Sequence, residues 1–399
     1  MKICAVICEY NPFHTGHAYQ LTKALRRYDA VVCVMSGNFV QRAEPAIAEK
    51  YVRAEIALRN GAATVVENPF VYATANGEKF ACGAVKTLKS LGQIDALVAG
   101  CETDSPELIN IVADIRYEES VNFGSVLKAR LDEGNSYAVS LTEATVSEAV
   151  SRGADEGKVR ELLSSPNNLL CIEYVNAIRR EKLNIKTEFI RRVGDGYNEK
   201  TVRGDYASAT AIRRMISDED FTAATPYLAD QAETLVDEIK THGLDERLFS
   251  DLALYAVKRA TAEEISRAPD CREGIDKKIF EAARTATDLT ELLASVKSKR
   301  YTLSRIRRII LQILFGVTTD FVNECDRHEL PARVLAIRED FKPMLAYCKN
   351  TVLRTSDLSS FNGVFYERYF EAERKAAALY AQITRNKTDL FYPQKLITI

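Results

Sequence analysis

The chain lacks long apolar runs, paired-cysteine spacings and any large excess of charge, and each absence removes a class of protein. No stretch approaches the roughly 20 apolar residues that a membrane-spanning helix needs. The apolar segment at the N-terminus is short, turns acidic just beyond its end and has no signal-peptide cleavage pattern, so a cytoplasmic protein is expected. Cys-x-x-Cys is absent and Cys325 with His328 is the one close Cys/His pair, so no protein-bound metal is expected. The nine cysteines are odd in number, and Cys4, Cys8, Cys33, Cys82, Cys101 and Cys171 sit mostly inside apolar runs. They are expected to be reduced, buried small hydrophobes. A formal net charge of -2 argues against nonspecific coating of nucleic acid, while allowing a local basic patch.

What remains is an ordinary globular composition, 46% hydrophobic and 28% charged, in a chain of 399 residues, long enough for two domains. Short β-branched runs recur at Ile3 to Cys8, Val31 to Met35, Thr64 to Glu67 and Ala96 to Gly100. Each is followed by a longer segment with helical apolar spacing, the pattern of βαβ units around a parallel sheet. The first helix is expected from His17 to about Tyr28, and the second to carry Tyr51, Ala54, Ile56 and Ala57 and to stop at Gly61. A late strand, Thr187 to Val193, leads into Gly194-Asp195-Gly196-Tyr197. From about Asp218 onward almost every segment reads as helix, with no convincing strand. The expected domains are therefore an α/β unit over 1–217 and an all-α unit over 218–399.

The densest chemistry lies at the first strand's end, where Ile7-Cys8 runs into Glu9-Tyr10-Asn11-Pro12-Phe13-His14-Thr15-Gly16-His17-Ala18-Tyr19-Gln20. A parallel strand ending in a turn delivers the next helix N-terminus first, with free N–H groups and partial positive charge that attract phosphate. Pro12 stiffens the turn, Gly16 permits close backbone approach, and His14 and His17 can donate to phosphoryl oxygens. The chain holds only four histidines, and two of them flank this one glycine. Charge developing on an α-phosphate would meet fixed donors.

Other strand ends and helix starts offer candidate partners. The second strand opens into Met35-Ser36-Gly37-Asn38-Phe39-Val40-Gln41-Arg42-Ala43-Glu44-Pro45, on the side where open α/β sheets bind ligands. Gly100, at the fourth strand's end, could let an adenine lie on bare backbone. Ser165-Pro166-Asn167-Asn168-Leu169 reads either as a helix start capped by an Asn or as a base or ribose contact. Tyr206-Ala207-Ser208-Ala209-Thr210-Ala211-Ile212-Arg213-Arg214 joins a hydroxyl-rich helix start to arginines one turn later, which suits departing phosphates. Lys297-Ser298-Lys299-Arg300-Tyr301-Thr302-Leu303-Ser304-Arg305-Ile306-Arg307-Arg308 is the strongest basic cluster. With Ile306, Ile309, Ile310, Ile313 and Leu314 as the buried stripe, its charge is expected to face solvent, as a nucleic-acid contact or as a plain solvated face.

Taken together, Glu9 to His17, Met35-Ser36-Gly37-Asn38-Phe39-x-Gln41-Arg42, Pro166-Asn167-Asn168, Ser208 to Arg213 and Lys299-Arg300-Tyr301-Thr302 resemble the bacterial tRNA(Met) cytidine acetate ligase family, over essentially the whole chain. Departures are small: Ala43 stands where glycine is usual, Asn68 interrupts a Val-Glu-Leu-Pro-like run, and Thr15 replaces a common Asn. The resemblance implies a Rossmann-like nucleotidyltransferase domain and a helical domain that meets tRNA. It implies an enzyme that converts acetate and ATP to acetyl-adenylate and pyrophosphate, then acetylates the wobble cytidine of elongator tRNA(Met). It places ATP along Ile7 to Gln20 and at Gly100, Asn167, Asn168 and Arg192. His14 and His17 would stabilise charge at the α-phosphate, while Arg213 with Ser208 and Thr210 would hold the leaving phosphates, and magnesium is expected to arrive with the nucleotide. Lys297, Lys299, Arg300, Arg305, Arg307 and Arg308 are the expected tRNA contacts.

The main rival is a small-molecule nucleotidyltransferase, which the first loop does not separate from the ligase. The second half disfavours it, because such an enzyme needs no helical domain of that size carrying a basic cluster. A noncatalytic nucleotide sensor is disfavoured by the intact histidine pair, and an aminoacyl-tRNA synthetase by the lack of a Lys-Met-Ser-Lys-Ser loop.

Overall fold

The computed structural model describes residues 1–192, 206–348, 350–386, 391 and 396–399. Continuous apolar runs give the buried strands β1 (Ile3–Cys8) and β2 (Ala30–Ser36), then the short hairpin strands β3 (Phe39–Val40) and β4 (Glu44–Pro45). They are followed by β5 (Thr64–Asn68), β6 (Ala96–Cys101) and β7 (Lys186–Arg191). Strands β8 (Ala332–Ile337), β9 (Thr351–Val352) and β10 (Ile397–Thr398) come from the second half. The main sheet runs β10-β8-β5-β2-β1-β6-β7, with β9 beside β8.

Within it β5, β2, β1, β6 and β7 are all parallel. The chain winds outward from β1 through β2 to β5, then returns to the other side of β1 as β6. Open α/β sheets bind ligands beyond the carboxyl ends of the strands at such a reversal. Alternate side chains serve opposite faces. Ala5, Val32, Val34 and Val66 pack under the helices Gly77–Leu91 and Pro166–Arg180, while Cys4, Val6, Cys33 and Val65 pack under Thr15–Leu25 and Lys50–Arg59. All nine cysteines are free thiols, and the six at positions 4, 8, 33, 101, 171 and 325 are buried.

The four early strands stand where the apolar runs place them, and the first helix spans Thr15–Leu25. The late strand stops at Arg191, and Val193 with the Gly194 to Tyr197 turn lies outside the described residues. Beyond Asp218 the chain is predominantly helical, but the expectation of no strand there does not hold. Ala332–Ile337 pairs antiparallel to β5, and Thr64 Oγ1 donates to Ala336 O at 2.9 Å. Its six residues follow Pro331 and are too few to separate strand from helix by periodicity, so the pairing with β5, some 270 positions earlier, decides. The helical half thus completes the sheet's edge. An aromatic cluster including Phe39, Phe70, Phe315 and Tyr380 welds the β3–β4 hairpin to that half. Among the described residues no helix is long and apolar enough to cross a membrane.

Candidate active site

The His-x-Gly-His turn is built as a reciprocal helix cap. His14 sits at the N-cap in extended conformation and its Nδ1 accepts the Gly16 N–H at 3.1 Å, while its own backbone N–H donates to His17 Nδ1 at 3.3 Å. Both Nδ1 atoms are therefore acceptors, so each neutral ring carries its proton on Nε2 and has that N–H left to offer a ligand. The rings stack with centroids 3.7 Å apart. A Cβ at position 16 would lie 2.9 Å from His14 Cε1, so only glycine lets the ring fold over its own helix. Tyr10 and Phe13, both buried, wedge His17 from behind, with ring centroids at 4.9 and 5.6 Å.

Burial pushes the His14 imidazole down to about 3, reinforced by Arg192 and Arg213. Burial, then His14 and Arg192, holds His17 well below the ordinary histidine range. Neutral Nε2–H donors are thus maintained at physiological pH. The folded pKa of His14 lies below the unfolded value of about 6.5, so between about 3 and 6.5 the unfolded chain binds more protons and stability falls as pH drops. Urea midpoints are expected to decline from pH 6.5 to 4.5, and to decline less steeply in His14→Asn.

The cleft is completed from three directions. Arg213, on the helix Ala209–Ser217, donates from Nη1 to Asn11 O at 2.7 Å and from Nη2 to Thr210 Oγ1 at 3.4 Å. Ser208 caps that helix through the Ala211 N–H. From the hairpin, Gln41 and Arg42 reach the cleft, the Gln41 N–H donating to Glu9 Oε1 at 2.7 Å. Burial raises the Glu9 carboxyl, opposed by that bond and by Arg213, Arg42 and Arg53. Arg192 crosses the edge of Gly100, where a Cβ would come within 3.2 Å of its Cγ.

Of the residues expected at the nucleotide, Ile7, Cys8, Glu9, Tyr10, Asn11, His14, His17, Gln20, Gly100, Asn167, Arg192, Ser208, Thr210 and Arg213 line one cleft. Pro12, Phe13, Thr15, Gly16, Ala18, Tyr19 and Asn168 do not line it. Asn168 is buried, its Oδ1 accepting the Glu102 N–H at 2.8 Å and its Nδ2 donating to Leu162 O at 3.3 Å. Nor does an asparagine cap the helix Pro166–Arg180: Ser165 does, accepting the Asn168 N–H, because Pro166 already occupies the first helical position.

Sequence reasoning missed the apolar wall of Phe80, Leu170 and Tyr174. The signal was available, since Asn167, Leu170 and Tyr174 share one face at helical spacing. It also missed Glu102, which accepts from Ser165 Oγ at 2.6 Å and from Asn167 Nδ2, with Arg192 Nε at 3.9 Å. Glu102 orients two cleft residues without lining the cleft itself. Glu102→Ala is expected to raise KM for ATP about tenfold and leave kcat within about threefold, since a charged hydrogen-bonding partner is worth roughly 1.5–3 kcal/mol. Steady-state adenylation kinetics check it.

The basic cluster is less open than its sequence suggests. Arg305 pairs with Glu273 at 2.9 Å and donates to the Asp270 carbonyl, Arg308 lies 3.6 Å from Asp270, and Arg307 pairs with Glu44 of β4. The Arg305 and Arg308 side chains are only 20% and 15% exposed, because carboxylates from the preceding helical hairpin cover them. Lys297, Lys299 and Arg300 are exposed, with Arg300 Nε 3.9 Å from Glu273.

Two positions where the resemblance leads to other residues also have a place. Ala43, where it implies glycine, holds a left-handed φ of 58°, a conformation glycine adopts without strain. Asn68 ends β5 beside Glu67, whose carboxylate is buried under Gly37 and bound by Lys50 Nζ at 2.7 and 2.8 Å.

This geometry has relatives. The family described as HIGH Nucleotidyl Transferase matches residues 1–393. The tRNA(Met) cytidine acetate ligase of Acetivibrio thermocellus is 35% identical over 402 residues, covering 97% of this chain and 96% of its own. That of Caldanaerobacter subterraneus is 35% identical over 409 residues, covering 98% and 99%. The crystal structure of Thermotoga maritima TmcAL in its apo form superposes with a TM-score of 0.95 at 30% identity, covering all of both chains. A second form of that protein, bound with alpha-thio ATP, gives 0.92 at 29% identity, again over both whole chains. The stacked histidine cap, the parallel sheet and these matches along the full length lead to one conclusion: the chain belongs to the tRNA(Met) cytidine acetate ligase family.

Proposed function

We propose that this chain is an ATP-dependent ligase that acetylates the wobble cytidine of elongator tRNA(Met) through acetyl-adenylate. The observation that carries the reading is the stacked, neutral His14–His17 pair facing the same cleft as Arg213, at the N-terminus of the first helix. It is supported by relatives of that name along the whole chain and by a solved relative that binds an ATP analogue. An acetate oxygen attacks the α-phosphorus, the bond to pyrophosphate breaks, and the mixed anhydride forms. The Nε2–H donors meet the charge that develops on the α-phosphate oxygens, and Arg213 meets that on the departing pyrophosphate. The purine lies against Phe80, Leu170 and Tyr174, with Asn167 and Arg192 at its edge. In the second step the cytosine N4 attacks the acetyl carbonyl, the C–N bond forms, the C–O bond to AMP breaks, and N4 gives up a proton.

Magnesium fits this cleft as an ion held by the nucleotide. Glu9 is the one carboxylate lining it among the described residues, and that group already accepts the Gln41 N–H amid three arginines. Bound to phosphate oxygens, the ion would neutralise charge on the leaving group. Lys297, Lys299 and Arg300 are the exposed cations of the basic cluster and its proposed tRNA contacts. The adenylation step is tested by exchange of labelled pyrophosphate into ATP. Exchange that depends on acetate is expected; exchange indifferent to acetate would favour a small-molecule nucleotidyltransferase.

A further inference from the structure

A second cavity, of about 1030 Å³, lies between the β3–β4 hairpin, the helix Ala209–Ser217 and helices of the second half. Two elements tie it to the nucleotide cleft. The β3–β4 hairpin gives Gln41 and Arg42 to the cleft and its next residues, Ala43, Glu44 and Pro45, to the cavity. The helix Ala209–Ser217 gives Ala209 and Thr210 to the cleft, Arg214, Ile216 and Ser217 to the cavity, and Arg213 to both. Arg213 is thus a common wall, placing the cavity against the side of the cleft where the phosphates are proposed to lie.

Its chemistry suits a nucleoside attached to a backbone. Phe249 supplies an aromatic face of the kind a base stacks on, with aliphatic Ile47, Leu293 and Ile310 around it. Glu44, paired with Arg307, sets a carboxylate acceptor beside a guanidinium donor. Held by Glu44, the Arg307 guanidinium can donate to the N3 and O2 acceptors of a cytosine and leave its N4 amine, the nucleophile, for the acetyl group. Arg214 and Lys240 add cations for flanking phosphates. Glu44, Glu219 and Glu246 also line the space, which disfavours a small free anion as its occupant.

We propose that this cavity is the acceptor subsite, taking the unstacked cytidine of the RNA, and that the Glu44–Arg307 pair reads its base edge. The inference rests on the proposed function and adds where the second substrate enters. The cytidine reaches the acetyl group from the hairpin side, past Arg213, while AMP stays against Phe80 and Tyr174.

The test uses the full chain and two readouts, acetate-dependent pyrophosphate exchange without RNA and acetylcytidine formed in tRNA(Met). Ser250→Trp and Thr290→Trp fill the cavity from two different helices, Glu246–Arg259 and Leu289–Val296. Exchange is expected to stay within about twofold of the unchanged protein, and acetylcytidine formation to fall at least about tenfold, as for loss of a desolvated contact worth over 1.4 kcal/mol. Glu44→Gln is expected to raise KM for tRNA about tenfold, within the range of one base-edge contact. If either tryptophan variant keeps exchange and still acetylates tRNA at the unchanged rate, the subsite is elsewhere; if one loses exchange through misfolding, the other decides. An unchanged protein that exchanges pyrophosphate but never acetylates tRNA would instead overturn the proposed function.

Discussion

His17→Ala lowers the rate of acetyl-adenylate formation by about 10²–10³-fold while KM for ATP changes by less than about threefold, the signature of a donor that acts at developing charge. Its Nδ1 is committed to the His14 backbone N–H, so the alanine variant removes one Nε2–H donor and one side of the cap. His14→Ala should be the worse of the two. It removes the other donor and also the N-cap of the helix Thr15–Leu25, adding roughly 1 kcal/mol of lost stability. His14→Asn separates the two effects, since asparagine caps well but cannot reproduce the stacked imidazole. Single-turnover formation of labelled acetyl-adenylate, beside urea unfolding of each variant, measures both. A His17→Ala enzyme with unaltered single-turnover rate would remove the histidine pair from the chemistry.

Arg53→Met destabilises the protein by about 3–5 kcal/mol, the cost of taking the donor from several buried backbone carbonyls at once. Arg53 is fully buried. Its Nε donates to Ala48 O at 2.9 Å, its Nη1 to Glu9 O and, at 3.2 Å, to Ser36 O, and its Nη2 to Gly37 O. Methionine keeps much of the volume and leaves those carbonyls without a donor, where each unmet buried acceptor costs about 1–3 kcal/mol. Because these carbonyls lie at the ends of β1 and β2 and in the turn before the helix Lys50–Arg59, the nucleotide cleft should loosen before the whole chain unfolds, and KM for ATP should rise. Arg59, six residues on, makes an exposed pair with Glu55, and Arg59→Met should cost under about 0.5 kcal/mol. Urea unfolding of the two variants makes the comparison; equal losses would show that the buried network is not what holds these loops.

That contrast marks the limit of what was legible in the sequence. Lys50 to Arg59 reads as an amphipathic helix with a charged face, and nothing in its spacing says that Arg53 points inward to converging carbonyls. The parallel strands were legible because strands buried on both faces are continuous apolar runs, and the first loop because its chemistry is local: His14, Gly16 and His17 cap their own helix. Partners drawn from far along the chain were not legible. Strand β8 declares itself only by pairing with β5, and Arg305 and Arg308 look like displayed charge until Asp270 and Glu273 are folded against them. Asn167 and Asn168, adjacent in sequence, part ways for a simple reason. One faces the cleft, and the other turns inward to hold the Glu102 backbone.

The central claim is that one chain both adenylates acetate and delivers the acetyl group to RNA. Incubating it with ATP, labelled acetate and unmodified elongator tRNA(Met), then digesting the RNA, reads this directly. Labelled acetylcytidine is expected at the wobble position, in step with release of AMP and pyrophosphate. Pyrophosphate released with no label in the RNA, or no turnover of ATP at all, would contradict it.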